Sequence, residues 1–411
     1  MTSGLVITIV GGGIGGFAAA VALRRNRHTV HIFEKSADNT EISAGLSIQS
    51  NAIVALEYLG VKRSNLRSVL FRGTASFDAV TGKSHEKEHI PKEATVPTDT
   101  GFFVHREDLH SELKRLALDS DGDGTAVVVH LASKIVSCDA EGEIVLESGE
   151  KFASDLIVGA DGVRSVVRTH VLGYEQEACA TGYVCSRAVL SAEGIADIAE
   201  LDWYTKSVPG LRVVTWIGEP FKMVISYGCR NGDLANAIYF WQESEDEKSD
   251  PSSRFITPGA IRAKFPDSLP QFLRLLELPV QSSTGAIRRW RLRNLPILPT
   301  WTNGRALILG DAAHATFPFM GQGASMALED AVALGCILRP GATRDEVPSR
   351  LELWQKVRKP CGDFVNRTSV SQLASIIKGD RDKAHSGSTR ELLLRYNVVE
   401  VARDAMASEG Y

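Results

Sequence analysis

The feature that most constrains this chain is six residues long. Gly11-Gly12-Gly13-Ile14-Gly15-Gly16 satisfies G-x-G-x-x-G directly after the β-branched run Leu5–Val10 and directly before the alanine-rich stretch Phe17–Arg25. A short apolar run fits a strand buried on both faces of a parallel sheet, and alanine favours helix, so the order strand, turn, helix is predicted. A second strand is expected over Val30–Phe33, ending at Glu34. Each glycine has its own duty in such a βαβ unit. Gly11 permits the tight turn, Gly13 lets the backbone approach a pyrophosphate, and Gly16 lets helix and strand pack closely. The N–H groups at the helix start then face the anion. Glu34 stands where a carboxylate accepts hydrogen bonds from both hydroxyls of an adenosine ribose, which favours NAD or FAD over NADP at this site.

At 411 residues the chain exceeds the roughly 150-residue scale of one domain, and 44% hydrophobic against 23% charged residues suits a large core. Its 46 basic and 50 acidic residues give a net charge of -4 without a basic run, so nucleic acid is not an expected partner. Cys138, Cys179, Cys185, Cys229, Cys336 and Cys361 form no C-x-x-C pair. No His cluster has metal-ligand spacing either, so neither a metal nor a disulfide framework is expected and the setting reads as cytoplasmic. Met1–Leu23 carries no charged side chain, but its glycines and its missing basic n-region argue against a signal or membrane-spanning segment.

Further strand-like runs occur at Ala126–His130, Glu143–Glu147, Asp155–Val158 and Ala306–Leu309, and Ala324–Leu338 has helical spacing. Tyr183–Tyr227 and Ala237–Trp241 are strand-rich without a long helical period, the pattern of an inserted antiparallel sheet. Charge and Pro/Ser content mark Glu243–Ser253 as a solvated loop, and Lys378–Thr389 as a polar break in a helical tail.

Two later segments join the glycine turn in a resemblance to a known family. Residues 155–168, which contain Asp161-Gly162 and end at Arg164-Ser165-Val-Val-Arg168, are similar to the DG motif of the class A flavoprotein monooxygenases. Residues 305–314, ending Gly310-Asp311-Ala312-Ala313-His314 and continuing through Pro318 to Gly321-Gln322-Gly323, are similar to that family's GD motif. Read alone, Asp161-Gly162 is a turn after a strand. Asp311 stands at the carboxyl edge of a sheet, where it either meets a ligand hydroxyl or caps a helix. Gly321–Gly323 precede a helix near Ala324, an electropositive start that suits negative charge on a reduced flavin.

The resemblance covers residues 1–60, 100–172 and 285–365, and it implies an α/β fold. A Rossmann-like FAD-binding domain with a mostly parallel sheet would comprise 1–70, 100–175 and 286–340. An inserted antiparallel-sheet substrate domain would take 71–99 and 176–285, with C-terminal helices over 341–411. It further implies that FAD is bound by Gly11, Gly13, Gly16, Glu34, Lys35, Gly45, Arg106, Asp161, Asp311, Pro318, Gly321, Gly323 and Ala324. Glu41 and Asn51 fall in the segment after the ribose acid. NADH or NADPH would be a transient co-substrate, with Arg164 and Arg168 as candidates for its phosphates. The reaction implied is insertion of one oxygen atom of O2 into an electron-rich aromatic small molecule, by way of a flavin C4a-hydroperoxide. Arg187 and Tyr227 are the catalytic candidates. Arg187 would anchor a phenolate or carboxylate, and the plain alternatives are a sheet-surface ion pair and a core tyrosine. His105 and His314 read as hydrogen-bonding residues beside the flavin.

The chain departs from the family at three places: Ser47–Ser50 lacks a Pro before Asn51, Gly228 replaces a Pro after Tyr227, and Ser325 replaces an Asn. The competing functions are another flavin oxidoreductase of the same fold, such as a reductase or halogenase, and a non-catalytic flavin-binding redox sensor. The six tryptophans lack the Trp-x-Trp-x-Ile-Pro spacing of halogenases. Monomer and homodimer are both compatible with the sequence.

Overall fold

The β-branched run forms β1 (Val6–Val10), followed by α1 (Ile14–Arg25) and β2 (Thr29–Phe33). These belong to a computed structural model that describes residues 4–39, 44–90, 95, 97–216, 220–249, 255–280, 287–378 and 387–410. Next come β3 (Gly45–Ile48), α2 (Ser50–Leu59) and β4 (Val69–Leu70), then the hairpin β5 (Gly73–Asp78) and β6 (Ser84–Glu88). β7 (Phe102–His105), α3 (Arg106–Leu118) and β8 (Val128–His130) follow. A small antiparallel sheet of β9 (Ile135–Cys138), β10 (Glu143–Leu146) and β11 (Lys151–Ala153) leads into β12 (Leu156–Gly159) and α4 (Val166–Leu172). The central segment contains β13 (Cys179–Ser191), α5 (Asp202–Thr205), β14 (Gly210–Trp216), β15 (Lys222–Cys229) and β16 (Leu234–Gln242). It continues with α6 (Glu245–Ser249), β17 (Phe255–Ile256), α7 (Pro258–Arg262) and β18 (Ile287–Asn294). β19 (Thr302–Asn303), β20 (Ala306–Ile308), α8 (Asp311–His314), α9 (Gly323–Ile337) and the long α10 (Val347–Ile377) precede two helices at Gly387–Leu394 and Val398–Ser408.

Six strands make the first sheet in the order β19-β20-β12-β1-β2-β8, parallel except for the β19–β20 pair. Ile7 and Ile9 of β1 are fully buried, as a strand covered on both faces requires. The alanines of α1 serve close packing against α9, where a side-chain carbon added at Gly335 would lie 2.8 Å from Ala22 Cβ. Both β12 and β20, from sequence positions far beyond β2, therefore end at the same carboxyl edge as β1.

The second sheet has eight strands, ordered β17-β18-β13-β16-β15-β14-β5-β6, antiparallel apart from β14–β5. Its side chains alternate, as strands dictate. Val184, Ala188 and Leu190 of β13 enter a core with Tyr239, Trp241 and Phe272, whereas Tyr183, Cys185 and Arg187 face the other way. That second face carries Tyr227 and Phe240 and packs against Phe103 of β7, which lies in a separate small sheet with β3 and β4. Gly45 N–H donates to Asn236 Oδ1 at 2.9 Å and joins β3 to β16 across the seam.

Three expectations need correction. β18 pairs with β13, so residues 287–294 belong to the large sheet and the chain re-enters the first domain after them rather than at 286. Within Tyr183–Tyr227 the strands are interrupted by the helical turns Ile195–Asp197, Ala199–Leu201 and α5. Glu243–Ser253 is not wholly a solvated loop: Glu243 is buried, bonded at 2.8 Å to Arg289 and 2.6 Å to Arg291, and α6 follows. The acidic spelling of that segment hid its counterions, which arrive from β18. Residues 250–253, like Glu41 and 379–386, lie outside the described residues.

Candidate active site

The glycine turn has the geometry its spacing demands. Gly11 has φ of 104° and a side-chain carbon there would overlap the Ala160 carbonyl, so β12 supports the turn from behind. One at Gly16 would overlap the Gly11 carbonyl. Gly13 differs: a carbon added there meets nothing within 4 Å, and it precedes α1 as an N-cap without a side-chain capping bond. A helix start without a side-chain cap, facing open space, is a place for an anion. At the end of β2, Glu34 accepts from Gly12 N–H and Ser36 N–H, both at 2.8 Å. Lys35 beside it is exposed.

At the same sheet edge β20 ends at Ile308, Gly310 follows as the N-cap of α8, and Asp311 opens that helix with its side chain exposed. Pro318 begins the turn Pro318–Met320, Gly321 adopts φ of 62°, and Gly323 and Ala324 start α9. This turn is clamped from β3's end, since Gln49 Nε2 donates to the Met320 carbonyl at 2.8 Å. Gln49 occupies the stretch where the family resemblance lacks its Pro.

A cavity of about 750 Å³ runs from Gly13 past Asp311 and Gly321–Ala324 to the inner face of the large sheet. Gly45, Arg106, Arg187 and Tyr227 are on its walls, with Phe71, Phe103, Phe240, Phe317 and Phe319 supplying aromatic surface. Tyr227 is buried and stacks on Phe103 at 4.3 Å between centroids. Burial pushes its phenol well above the ordinary value. Arg187 is half-buried 5.7 Å from the Trp290 ring, and its Nε is buried with no hydrogen-bond partner among the described residues. A cation placed so has capacity for a ligand anion.

Of the expected site residues, Gly13, Gly45, Arg106, Asp311, Pro318, Gly321, Gly323, Ala324, Arg187 and Tyr227 all reach this cavity, and Gly11 and Gly16 shape its glycine turn. Asp161 does not reach it. Its Oδ2 accepts from Val166 N–H at 2.7 Å and Val167 N–H at 3.3 Å, so it holds the turn whose neighbours Ala160 and Gly162 line the wall. Arg168 is likewise no surface phosphate ligand. It is buried, and its guanidinium donates to the carbonyls of Gln176 (2.9 Å), Ala312 (3.0 Å) and Val163 (2.8 Å). Arg164 is exposed. His314 Nε2 lies 2.6 Å from Asp330 Oδ2, and burial holds the His105 imidazole below its ordinary value.

Sequence reasoning missed one wall entirely. Phe364, Thr368, Ser371, Gln372 and Ile376 project from α10 into the cavity. Their spacing of four, three, one and four residues is a single helical face, and that periodicity was the available signal.

Comparison with known proteins agrees with the geometry. Residues 5–369 match the family described as FAD binding domain. Hispidin-3-hydroxylase of Neonothopanus nambi is 36% identical over 380 residues, covering 90% of this chain and 88% of that protein. An FAD-dependent monooxygenase of Aspergillus candidus is 32% identical over 438 aligned positions, covering 98% of this chain and 95% of its own. A salicylate hydroxylase substrate complex shares the fold, with a TM-score of 0.77 at 23% identity and 98% of each chain covered. A dinucleotide cradle that opens onto an aromatic chamber is thus found in a chain that belongs to the FAD binding domain family, as an FAD-dependent monooxygenase.

Proposed function

We propose that the chain draws electrons from NADH or NADPH and places one atom of O2 on an electron-rich aromatic ring held in the chamber. Continuity carries this reading: the glycine turn, Asp311, the start of α9 and the aromatic sheet face all border one cavity. The residues present suit FAD, since the open space at Gly13 and at Gly323 leaves backbone amides accessible at two helix starts. In this assignment the α1 start holds the diphosphate, Glu34 the adenosine ribose, Asp311 the ribityl chain, and Gly321–Ala324 the pyrimidine edge. Bound there, FAD would supply two-electron acceptance from nicotinamide and activation of dioxygen.

The rest of the work falls to side chains. Arg187 pairs with the phenolate or carboxylate of the ring, and the apolar walls strengthen that attraction. Tyr227, kept protonated by burial, donates a hydrogen bond rather than acting as an ionised base. Phe103, Phe240, Phe317 and Phe319 exclude water from the reacting centre. The six cysteines are all free, which supports a reducing, cytoplasmic setting, and the assembly is proposed as monomer or homodimer. No helix among the described residues is long and apolar enough to cross a membrane.

The test is to reconstitute the protein with FAD, titrate it with phenols, aromatic acids and indoles, and follow oxidation of NADH and of NADPH. At least one ring compound should perturb the flavin spectrum and accelerate nucleotide oxidation about tenfold or more. Arg187→Ala should raise KM for that compound by roughly 10- to 100-fold, the scale of a lost charged hydrogen bond, with FAD still bound. A flavin-loaded protein that no ring compound accelerates is instead a non-catalytic flavin binder.

A further inference from the structure

Behind the two cofactor-facing turns lies a buried ionic cluster outside the proposed site. Arg358, Glu329 and Asp330 are all fully buried. Arg358 belongs to α10, and it donates from one nitrogen to Glu329 Oε2 at 2.7 Å and from Nε to Asp330 Oδ1 at 2.9 Å. Each acid then passes the connection outward. Asp330 Oδ2 accepts from Gly310 N–H at 3.0 Å and lies 2.6 Å from His314 Nε2, fixing both ends of the turn that presents Asp311. Glu329 Oε1 accepts from Asn51 Nδ2 at 2.7 Å, and the same amide donates to Gln322 Oε1 at 3.0 Å, which fixes the residue that opens α9.

Two carboxylates and one guanidinium withdrawn from water are weak as a stabilising device, because desolvation offsets most of their attraction. What they do have is direction: through Asp330 the bonds lead from α10 to the Gly310–His314 turn, and through Glu329 and Asn51 they lead to Gln322 at the start of α9. We infer that Arg358 is a positioning residue for the flavin. Acting through Glu329 and Asp330, it aligns the Gly310–His314 and Met320–Ala324 backbone, and the charge balance of this cluster sets how readily the flavin is reduced. The inference rests on the flavin placement proposed above.

In this cluster Glu329 and Asp330 face the Arg358 guanidinium, and the His314 imidazole lies 2.6 Å from Asp330 Oδ2. Replacing Glu329 by its neutral isostere removes a negative charge from behind the turns and should favour the reduced, more negative flavin. Removing Arg358 should do the opposite. The experiment measures the flavin midpoint potential and the FAD dissociation constant in wild type, Glu329→Gln, Arg358→Met and the double variant, each as purified holoenzyme. Glu329→Gln should shift the two-electron equilibrium towards reduced flavin by about tenfold, or about 30 mV. Arg358→Met should shift it the other way and weaken FAD binding, and the double variant should return towards the wild-type potential. Glu329→Gln keeps an acceptor for Asn51, so it remains informative if Arg358→Met does not fold. Wild-type potentials in Glu329→Gln and in every other variant that folds overturn the inference. A wild-type protein that binds no FAD overturns the flavin placement instead.

Discussion

Gly16 illustrates how a single side-chain carbon is decided by its surroundings. In Gly16→Ala the new methyl overlaps the Gly11 carbonyl, so the glycine turn must open. The expected cost is about 1–3 kcal/mol of stability together with loss of FAD affinity, read by thermal unfolding and by flavin fluorescence titration. Asp311 is exposed at its turn, so Asp311→Ala should leave the fold intact while weakening FAD by roughly 10- to 100-fold; full retention of affinity would contradict its placement. Asp330 behaves differently because it is internal. Burial would raise its carboxyl, but the His314 and Arg358 charges and the His314 and Gly310 hydrogen bonds hold it down at about 2. A depressed carboxyl stabilises the fold above its unfolded value and loses that contribution as pH falls, here between about pH 4 and pH 2. Glu329, pushed up by burial despite Arg358, acts in the opposite sense as pH rises. Asp330→Asn should cost about 3–5 kcal/mol by leaving Arg358 undercompensated, and its circular-dichroism acid titration should lack the steep limb below about pH 4. Arg168 shows the limit of reading single residues. Arginine is ordinarily a surface residue, and nothing nearby in sequence announces that Ala312 will supply one of its acceptors.

Elements were legible where their pattern is local. β1, α1 and β2 follow from a β-branched run, glycines and alanines within about thirty residues, and α9 from its helical spacing. Sheet membership is not local. β18 carries arginines at four of its eight positions, yet it is paired with β13 within the large sheet, where Glu243 from another part of the chain pairs with both Arg289 and Arg291 and Glu247 lies 3.8 Å from Arg289. α10 was legible as a helix, but the destination of its face was not, because Thr368, Ser371 and Gln372 are polar residues lining an internal chamber. A bulky residue on that face should therefore narrow the chamber. Thr368→Trp is expected to raise KM for ring substrates about tenfold while FAD affinity stays at the wild-type value. An unchanged KM would place α10 away from the substrate.

Across the whole molecule, the site exists only because segments about three hundred residues apart share one sheet edge. β1 and β20 flank β12 in parallel register, so the glycine turn and Asp311 emerge at the same edge with Ala160–Gly162 between them, and the large sheet then closes the chamber from the other side. The three motifs foretold that meeting in the sequence. The chamber's specificity was not foretold, because it is composed of sheet-face and helix-face side chains whose neighbours are fixed only by folding. Mass spectrometry of the product formed under ¹⁸O2, with NADH or NADPH and a ring compound that accelerates its oxidation, is the most direct measurement of what this arrangement does. A product heavier by one labelled oxygen atom per ring is the expected result. Nucleotide consumed while the ring compound is recovered unlabelled and unchanged would contradict it.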